Sequence, residues 1–500
     1  MRISYFVNRS GYAQTARELL RLRHKDDKCS DFLKGCRILL KDKNEVICFL
    51  YDDTEESIKS ARKHPMGTIV IDSRNDDLSK GVGSSLTGRL LPELLSGGGS
   101  RKIPGRNSII VVLPDDSNTP YHAYAAGTFQ LGGVLIAPEN TQDILESAYR
   151  IFSPGKPGKV ALALAGGGIE GMFWEIGVLR ALDAHLKNVS ITDFDIFSGI
   201  SAGSIISAFL ANGVKPYEIA NALYGRPSRI NPITRSMLFD PNIGELTRRI
   251  FASVGDLAKG KWLLNPIDSA MRVTPTALFS GQKLKNYLEN ELSKPGMSNS
   301  FNTVPKKLFV GVTDQDKGQH VTFGTAQTSH IPISTAVRAS SAMTPYYNPE
   351  KIGDRYYVDG IFTRTIDIDI AVENGATLII CVDPLRPVQT LEPGYVSSKG
   401  GVFNTVQSIK SMIRTRFAEM ITKTEETYPH VSVHVFSPTA KDMEQMSGTM
   451  MRFFYSANTE NMAYDSAGEQ IAGDFEWLAE DLIKHGIELA APEAADKVLL

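Results

Sequence analysis

Gly199, Ser201 and Gly203 spell GxSxG inside the segment ITDFDIFSGISAGSIISAFLA. The run before the motif is strand-like and the small residues after it open a helix, so Ser201 falls on a sharp strand-to-helix turn that thrusts its hydroxyl out of a sheet. Glycines two positions to either side are what crowding at such a turn permits. Ser201 is the candidate nucleophile. The plainer alternative, a hydroxyl capping a helix among the small neighbours Ala202 and Ser204, leaves Gly199 without a reason. A serine hydroxyl is a weak nucleophile by itself. It needs a base within hydrogen-bond reach, and its attack needs N–H donors for the oxyanion that develops.

The donors have a candidate in KVALALAGGGIEGMFWEIGVLRALDAHL, which reads as a buried strand, a glycine turn and an amphipathic helix with the stripe Ile176, Leu179, Leu182 and Leu186. Gly166, Gly167 and Gly168 allow a tight turn and leave bare N–H groups at a helix N-terminus, where the dipole favours negative charge. From Gly168 to Ser201 is 201 − 168 = 33 residues, one helix and one strand, so both turns belong to adjacent parallel strands and open on the same sheet edge. Gly166, Gly168 and Gly171 also spell GxGxxG, the mark of a dinucleotide-dependent oxidoreductase. That reading needs an acidic residue ending the next strand, and the next strand instead runs into GxSxG.

The elements that must position these residues fall into several regions. In 500 residues Lys and Arg number 54 against 56 Asp and Glu, and 42% of residues are hydrophobic, which describes a multidomain chain with no net field to hold nucleic acid. Cys29, Cys36, Cys48 and Cys381 match neither a disulfide framework nor a zinc knuckle and are expected reduced and buried. No apolar run is long enough to span a bilayer and no secretory signal opens the chain, so a cytoplasmic protein that can sit at a membrane surface is expected. Residues 1–151 alternate strand-like and helical runs, which implies a doubly wound parallel α/β sheet. The flexible stretch 152–158 marks a linker, 159–384 the catalytic region, and 385–500 a mostly helical part packed on it.

The stretch from SIIVVLPDD to the helix TQDILESAYRIF resembles the second half of a response-regulator receiver domain. Of the acidic residues that phosphorylation would use, Asp53 and Asp72 are only 72 − 53 = 19 residues apart, too few for the intervening elements, so a regulatory or partner-binding module is expected instead. The catalytic region resembles the patatin-like phospholipases. Besides AGGGIEG and GISAGS, the resemblance covers KKLFVGVTDQDKGQHVTFG, TAVRASSAMTPYYNP, RYYVDGIF and ATLIICVDP, in the family's order. It implies a three-layer α/β/α sandwich, a Ser201–Asp359 dyad and an oxyanion hole from the backbone of Gly166, Gly167 and Gly168. It implies no cofactor and no metal. Asp359 would need a dry setting to act as base, and Tyr356, Tyr357, Val358, Ile361 and Phe362 are expected to supply it. The sequence departs from the family at Glu170, where a basic residue usually follows the glycines, at Ile361 and in TRTIDI.

The expected substrate is a phospholipid or lysophospholipid, with a peripheral membrane surface as the place of contact. Residues 225–295 hold 11 Lys and Arg against 6 Asp and Glu, with Met237, Leu238, Phe239, Trp262, Leu263 and Leu264 in apolar clusters; this suits an interfacial lid, and equally a cap with a solvated basic face. Val406, Ile409, Ile413, Phe417, Met420 and Ile421 trace a helix stripe flanked by Lys410, Arg414, Arg416 and Lys423. Met443, Met446, Met450 and Met451 are candidates for an acyl tunnel or for core filling. Two rivals stay open: an α/β-hydrolase-like lipase whose triad draws on His430 or His434, and a degenerate lipid-binding protein without catalysis.

Overall fold

The computed structural model describes residues 2–491 except 26, 28–31, 42–43, 62–67, 82, 84, 96–108, 129–130, 153–156, 243–276, 389–391, 429 and 447–455. The chain divides into two compact units, Met1–Lys156 with Thr422–His430, and Pro157–Ile421 with Val431–Leu500. Both are mixed α/β.

The first unit is a sheet of β1 (Arg2–Val7), β2 (Cys36–Leu39), β3 (Glu45–Tyr51), β4 (Thr68–Asp72), β5 (Ile109–Leu113) and β6 (Gly133–Ile136), in the order β2-β3-β1-β4-β5-β6. Helices α1 (Arg9–Leu22), α2 (Glu55–Ala61), α3 (Leu86–Leu95), α4 (Thr119–Thr128) and α5 (Thr141–Phe152) alternate with the strands. From β3 to β6 all pairings are parallel, in the doubly wound order that reverses at β1. The edge strand β2 corrects the all-parallel reading, because it pairs antiparallel with β3. Residues 40–44 alone join the two, and a parallel crossover needs about a dozen. Cys48 and Cys381 are buried and in no disulfide, as expected, whereas Cys36 is disulfide-bonded, against the expectation of a reduced thiol. Asp72 is held at the end of β4 by the Tyr5 hydroxyl at 2.6 Å and the Arg74 guanidinium at 2.8 Å, and Asp53 by Arg89 at 2.7 Å.

The second unit contains β7 (Lys159–Leu164), β8 (Ile196–Ile200), β9 (Lys307–Asp314), β10 (Gln319–Phe323), β11 (Glu350–Ile352), β12 (Arg355–Asp359), β13 (Ala376–Val382) and β14 (Ser432–Phe436). Their order is β11-β12-β9-β8-β7-β13-β14, with β10 also on β9. Its helices are α6 (Gly168–His185), α7 (Ala202–Ala211), α8 (Pro216–Leu223), α9 (Arg235–Leu238), α10 (Gln282–Leu292), α11 (Ile333–Ser340), α12 (Asp369–Glu373), α13 (Tyr395–Ser398), α14 (Gly401–Thr427, to Ile421 in this unit), α15 (Ala440–Gln445), α16 (Ser456–Gly473) and α17 (Phe475–Lys484).

Alternate strand residues feed two layers, as the pleat requires. Leu162, Leu164, Phe197, Leu378 and Ile380 pack in one core with α6, α7 and α11, while Ile200 packs on the other face with Ile361, Leu385, Val406 and Ile413. The three-layer sandwich follows from that alternation. Helix α6 differs from its expected amphipathic form: Ile169 to Leu179 are all buried. Helix α16 covers what the stripe would have left exposed, crossing so close that a Cβ on Gly177 would lie 2.2 Å from the Glu460 carbonyl oxygen.

Candidate active site

The register of β9 brings the site together. Val310 and Gly311 pair with β8 and with β10, and Val312 to Asp314 pair with β12 and with β10. A strand residue has one partner per edge, so β8 and β12 share the edge opposite β10. They run toward each other along it. Strand β8 ends with Ile200 opposite Gly311, and β12 ends with Asp359 opposite Val312. Ser201 and Asp359, 359 − 201 = 158 residues apart in the chain, therefore meet where two strands abut head to head. Gly360 is needed at that junction, because a Cβ there would stand 2.5 Å from the Gly311 carbonyl oxygen.

Ser201 sits at φ 54°, ψ −123°, a strained conformation for a residue with a side chain. Its neighbours explain how it is held. A Cβ on Gly199 would lie 2.4 Å from the Gly203 carbonyl oxygen, and one on Gly203 would lie 2.6 Å from that of Ala165, so both flanking positions exclude any other residue. The Ser201 N–H donates to the Ser340 hydroxyl at 2.8 Å, and that hydroxyl donates to the Gly311 carbonyl at 2.7 Å. Ser340, at the end of α11, thus ties the elbow to β9. It lies in the RASSAMTP run, and nothing in its spacing announces this role.

The glycine turn follows β7, which is parallel to β8 with Leu164 opposite Gly199. A Cβ on Gly166 would be 3.0 Å from the Ser201 Cβ, so the turn lies directly beside the hydroxyl. Gly167 is pressed against Pro384, 2.5 Å from a would-be Cβ, and Gly168, at φ 62°, starts α6. The first N–H groups of a helix have no acceptor within it; of the three glycines Gly168 lines the pocket beside Ser201, and Gly166 and Gly167 are not among its lining residues.

Asp359 is 1% exposed. Its Oδ1 accepts the Ile361 N–H at 3.0 Å, and its Oδ2 is buried without a hydrogen-bond partner. Burial pushes the carboxyl up to about 7, against the pull of the Ser201 side chain and the Ile361 N–H. The serine is near enough to exert that pull without satisfying Oδ2. Of the residues expected to dry this carboxyl, Tyr357, Val358 and Ile361 are buried, but Tyr356 and Phe362 are 42% and 37% exposed. Helix α14 holds the turn after Asp359, its Arg416 donating to the carbonyls of Ile361 at 2.7 Å and Phe362 at 2.8 Å.

Ser201, Asp359, Gly168 and Ile361 open on a pocket of about 590 Å³, counting its mouth, whose other walls are mainly apolar: Ile169, Met172, Ile205, Leu238, Leu284, Met343, Tyr346 and Tyr347. Leu238 and Leu284 come from the described ends of the 225–295 segment; Trp262, Leu263 and Leu264 lie outside the described residues. The methionines at the pocket are Met172 and Met343. Of the four suggested by sequence, Met446 is core, Met443 packs on it, and Met450 and Met451 lie outside the described residues. No histidine lines the pocket among the described residues. His434 is on β14, separated from β8 by β7 and β13, with its ring on Trp477 and its Nε2 3.0 Å from Asp481; His430 belongs to the first unit.

Residues 162–372 match the family model of the patatin-like phospholipases. A curated relative, the "Probable lipid hydrolase 463L" of Invertebrate iridescent virus 6, is 24% identical over 218 residues, which are 42% of this chain and 63% of that protein. The chain thus spans less than two thirds of that relative. Among solved structures, VipD from Legionella pneumophila is 16% identical, with 62% of this chain and 66% of that one covered and a TM-score of 0.31. Full-length ExoU in complex with SpcU from Pseudomonas aeruginosa is 17% identical, with 68% of each chain covered and a TM-score of 0.23. With serine elbow, glycine turn and family model falling on the same residues, the chain carries a patatin-like phospholipase domain over 162–372.

Proposed function

We propose that this chain is a serine acyl hydrolase that cleaves the ester bonds of phospholipids or lysophospholipids, as a phospholipase A or lysophospholipase, through Ser201 and Asp359. The observation that carries the reading is the meeting of a strained serine and a buried, partnerless carboxylate oxygen at the mouth of an apolar pocket. Ser201 Oγ attacks the ester carbonyl carbon while Asp359 accepts its proton, and the N–H groups of Gly166, Gly167 and Gly168 receive the oxyanion. The tetrahedral intermediate collapses, the C–O bond to the glycerol breaks, and Asp359 returns the proton to the leaving alkoxide. Water then attacks the acyl carbon while Asp359 takes its proton, the second tetrahedral intermediate collapses with cleavage of the acyl C–Oγ bond, and Asp359 returns that proton to Ser201 Oγ as the fatty acid leaves.

A carboxyl near 7 suits this double duty, because it ionises at neutral pH and still holds a proton well. The apolar walls suit an acyl chain. Contact with a peripheral membrane surface, and a protein partner for the first unit, belong to the same proposal. Among the described residues no helix is long and apolar enough to cross a membrane. The test is acyl release from a panel of phospholipids and lysophospholipids by the full chain, with Ser201→Ala as control. Release that disappears in the variant supports the reading; lipid binding without release favours a non-catalytic lipid-binding protein.

A further inference from the structure

A few residues past the Asp359 turn stands a second buried acid that the hydrolysis does not use. Asp367, 2% exposed, belongs to TRTIDI, a stretch in which this sequence departs from the family. Its Oδ1 accepts from Arg364 at 3.0 Å, and its Oδ2 accepts from the Thr322 hydroxyl at 2.8 Å and lies 3.1 Å from His320 Nε2. Burial raises this carboxyl, but the His320 hydrogen bond, the Arg364 charge and the Thr322 hydroxyl more than reverse that and hold it below the usual carboxylate range. A carboxylate only accepts, so His320 carries a hydrogen on Nε2. The main chain of Asp367 is fixed as well, its carbonyl accepting from the Ser198 hydroxyl of β8 at 3.1 Å.

From Asp367 a line of contacts leads back to the Asp359 turn. His320 Nδ1 is 3.2 Å from the Thr363 hydroxyl, that hydroxyl is 2.8 Å from the Thr313 hydroxyl, and the Thr313 hydroxyl donates to the Asp359 carbonyl at 2.9 Å. Thr363 is also 3.2 Å from the Gly360 carbonyl. Strand β9 explains why the line closes: Thr313 has Val358 of β12 opposite it on one edge and His320 of β10 on the other. Directly opposed residues share a face of the sheet, and the His320 ring leans over Gly311, where a Cβ would lie 2.9 Å from its Cε1.

The Asp359 carbonyl belongs to the peptide that joins it to Gly360, and the N–H that Oδ1 accepts comes from Ile361, the residue after. A tilt of that peptide moves both the carboxyl and its donor relative to Ser201. We propose that His320 is a positioning residue of the hydrolysis: it ties the hydroxyls of Thr363 and Thr313 to Asp367, and so fixes the peptide after Asp359 in the orientation that brings the carboxyl to Ser201. Arg416 grips the far end of the same turn at the carbonyls of Ile361 and Phe362. His320 acts on the main chain of Asp359 and not on its carboxyl. The inference rests on the reading of Ser201 and Asp359 as the reacting pair.

The experiment uses the full chain and compares wild type with Thr313→Val, His320→Gln and the double variant. Valine keeps the shape of Thr313 without its hydroxyl, and the glutamine amide can still meet Asp367 but presents nothing at the place of Nδ1. Rates of ester hydrolysis and the pH profile of Ser201 phosphonylation are read alongside thermal unfolding. Each single variant should lose about tenfold or more in kcat at little changed KM. Each should also move the apparent pKa of phosphonylation above about 7, because a displaced carboxyl loses part of the pull of Ser201 and of the Ile361 N–H. A lost packing contact lowers the unfolding temperature and leaves that pKa in place. The double variant should stay within about threefold of the slower single one, since both changes cut the same line of contacts. A folded His320→Gln with wild-type kcat or an unmoved pKa, or a double variant whose loss is the product of the two single losses, overturns the proposal while leaving the site intact. Should His320→Gln not fold, Thr363→Val cuts the line one link further on and is held to the same kcat and pH criteria. A wild-type protein in which Ser201 is not phosphonylated overturns the reading of the site and this inference with it.

Discussion

Asp359→Asn should abolish hydrolysis and yet make the protein more stable above neutral pH. The carboxyl titrates at 3.8 when unperturbed and at about 7 in the fold. An acid whose pKa is raised by folding holds more protons in the native state, so stability falls as pH climbs from the first value to the second and stays low beyond. Over that interval the ionised form costs about 4 kcal/mol, at about 1.4 kcal/mol per pH unit. Asparagine removes the charge but turns the Oδ2 position, which has no hydrogen-bond partner, into an acceptor or an amide donor that must find one. If it finds none, about 1–3 kcal/mol is returned. The expected gain is therefore about 1–3 kcal/mol near pH 8.5, shrinking toward zero or reversing near pH 5. Urea unfolding of both proteins at the two pH values measures it. A difference that does not grow with pH would refute the claim that Asp359 is held in a desolvated, raised state.

Glu175, wholly buried with both carboxylate oxygens lacking a hydrogen-bond partner and raised far above 4.5 by burial and then by Asp383, obeys the same sign. Glu175→Gln should flatten the loss of stability as pH rises above 4.5, read as the change of Tm with pH. Ser340→Ala removes the partner of both the Ser201 N–H and the Gly311 carbonyl, so it should cost about 1–3 kcal/mol in urea unfolding and lower kcat about tenfold or more. Gly203→Ala places a Cβ 2.6 Å from backbone oxygen and should leave little folded protein, seen as loss of cooperative unfolding. His430→Ala with His434→Ala should change ester hydrolysis only slightly, since a triad is the alternative in which that rate falls by orders of magnitude.

The parts of the site that sequence made legible are local ones. GxSxG and the three glycines announce themselves because glycines and a small hydroxyl residue gathered between a strand-like run and a helical one already spell a tight turn, and the 33-residue interval sets their strands side by side. Asp359 is legible through family resemblance alone, since its meeting with Ser201 depends on two strands sharing one edge of β9, a pairing that no spacing encodes. Helix α6 reads as amphipathic until α16, far down the chain, covers it. Antiparallel β2 was hidden because a hydrophobic run does not state its direction. Arg416 and Lys410 look like the solvated flank of a helix, and only the packing of α14 on the Asp359 turn brings one to the carbonyls of Ile361 and Phe362 and buries the other.

The most direct test of the dyad is the mass of the intact protein after exposure to a fluorophosphonate across a range of pH. The account predicts a single adduct on Ser201, forming at a rate that rises through an apparent pKa of about 7 and falls by orders of magnitude in Asp359→Asn. Adduct formation at Ser201 with the same rate and pH profile in both proteins would contradict it.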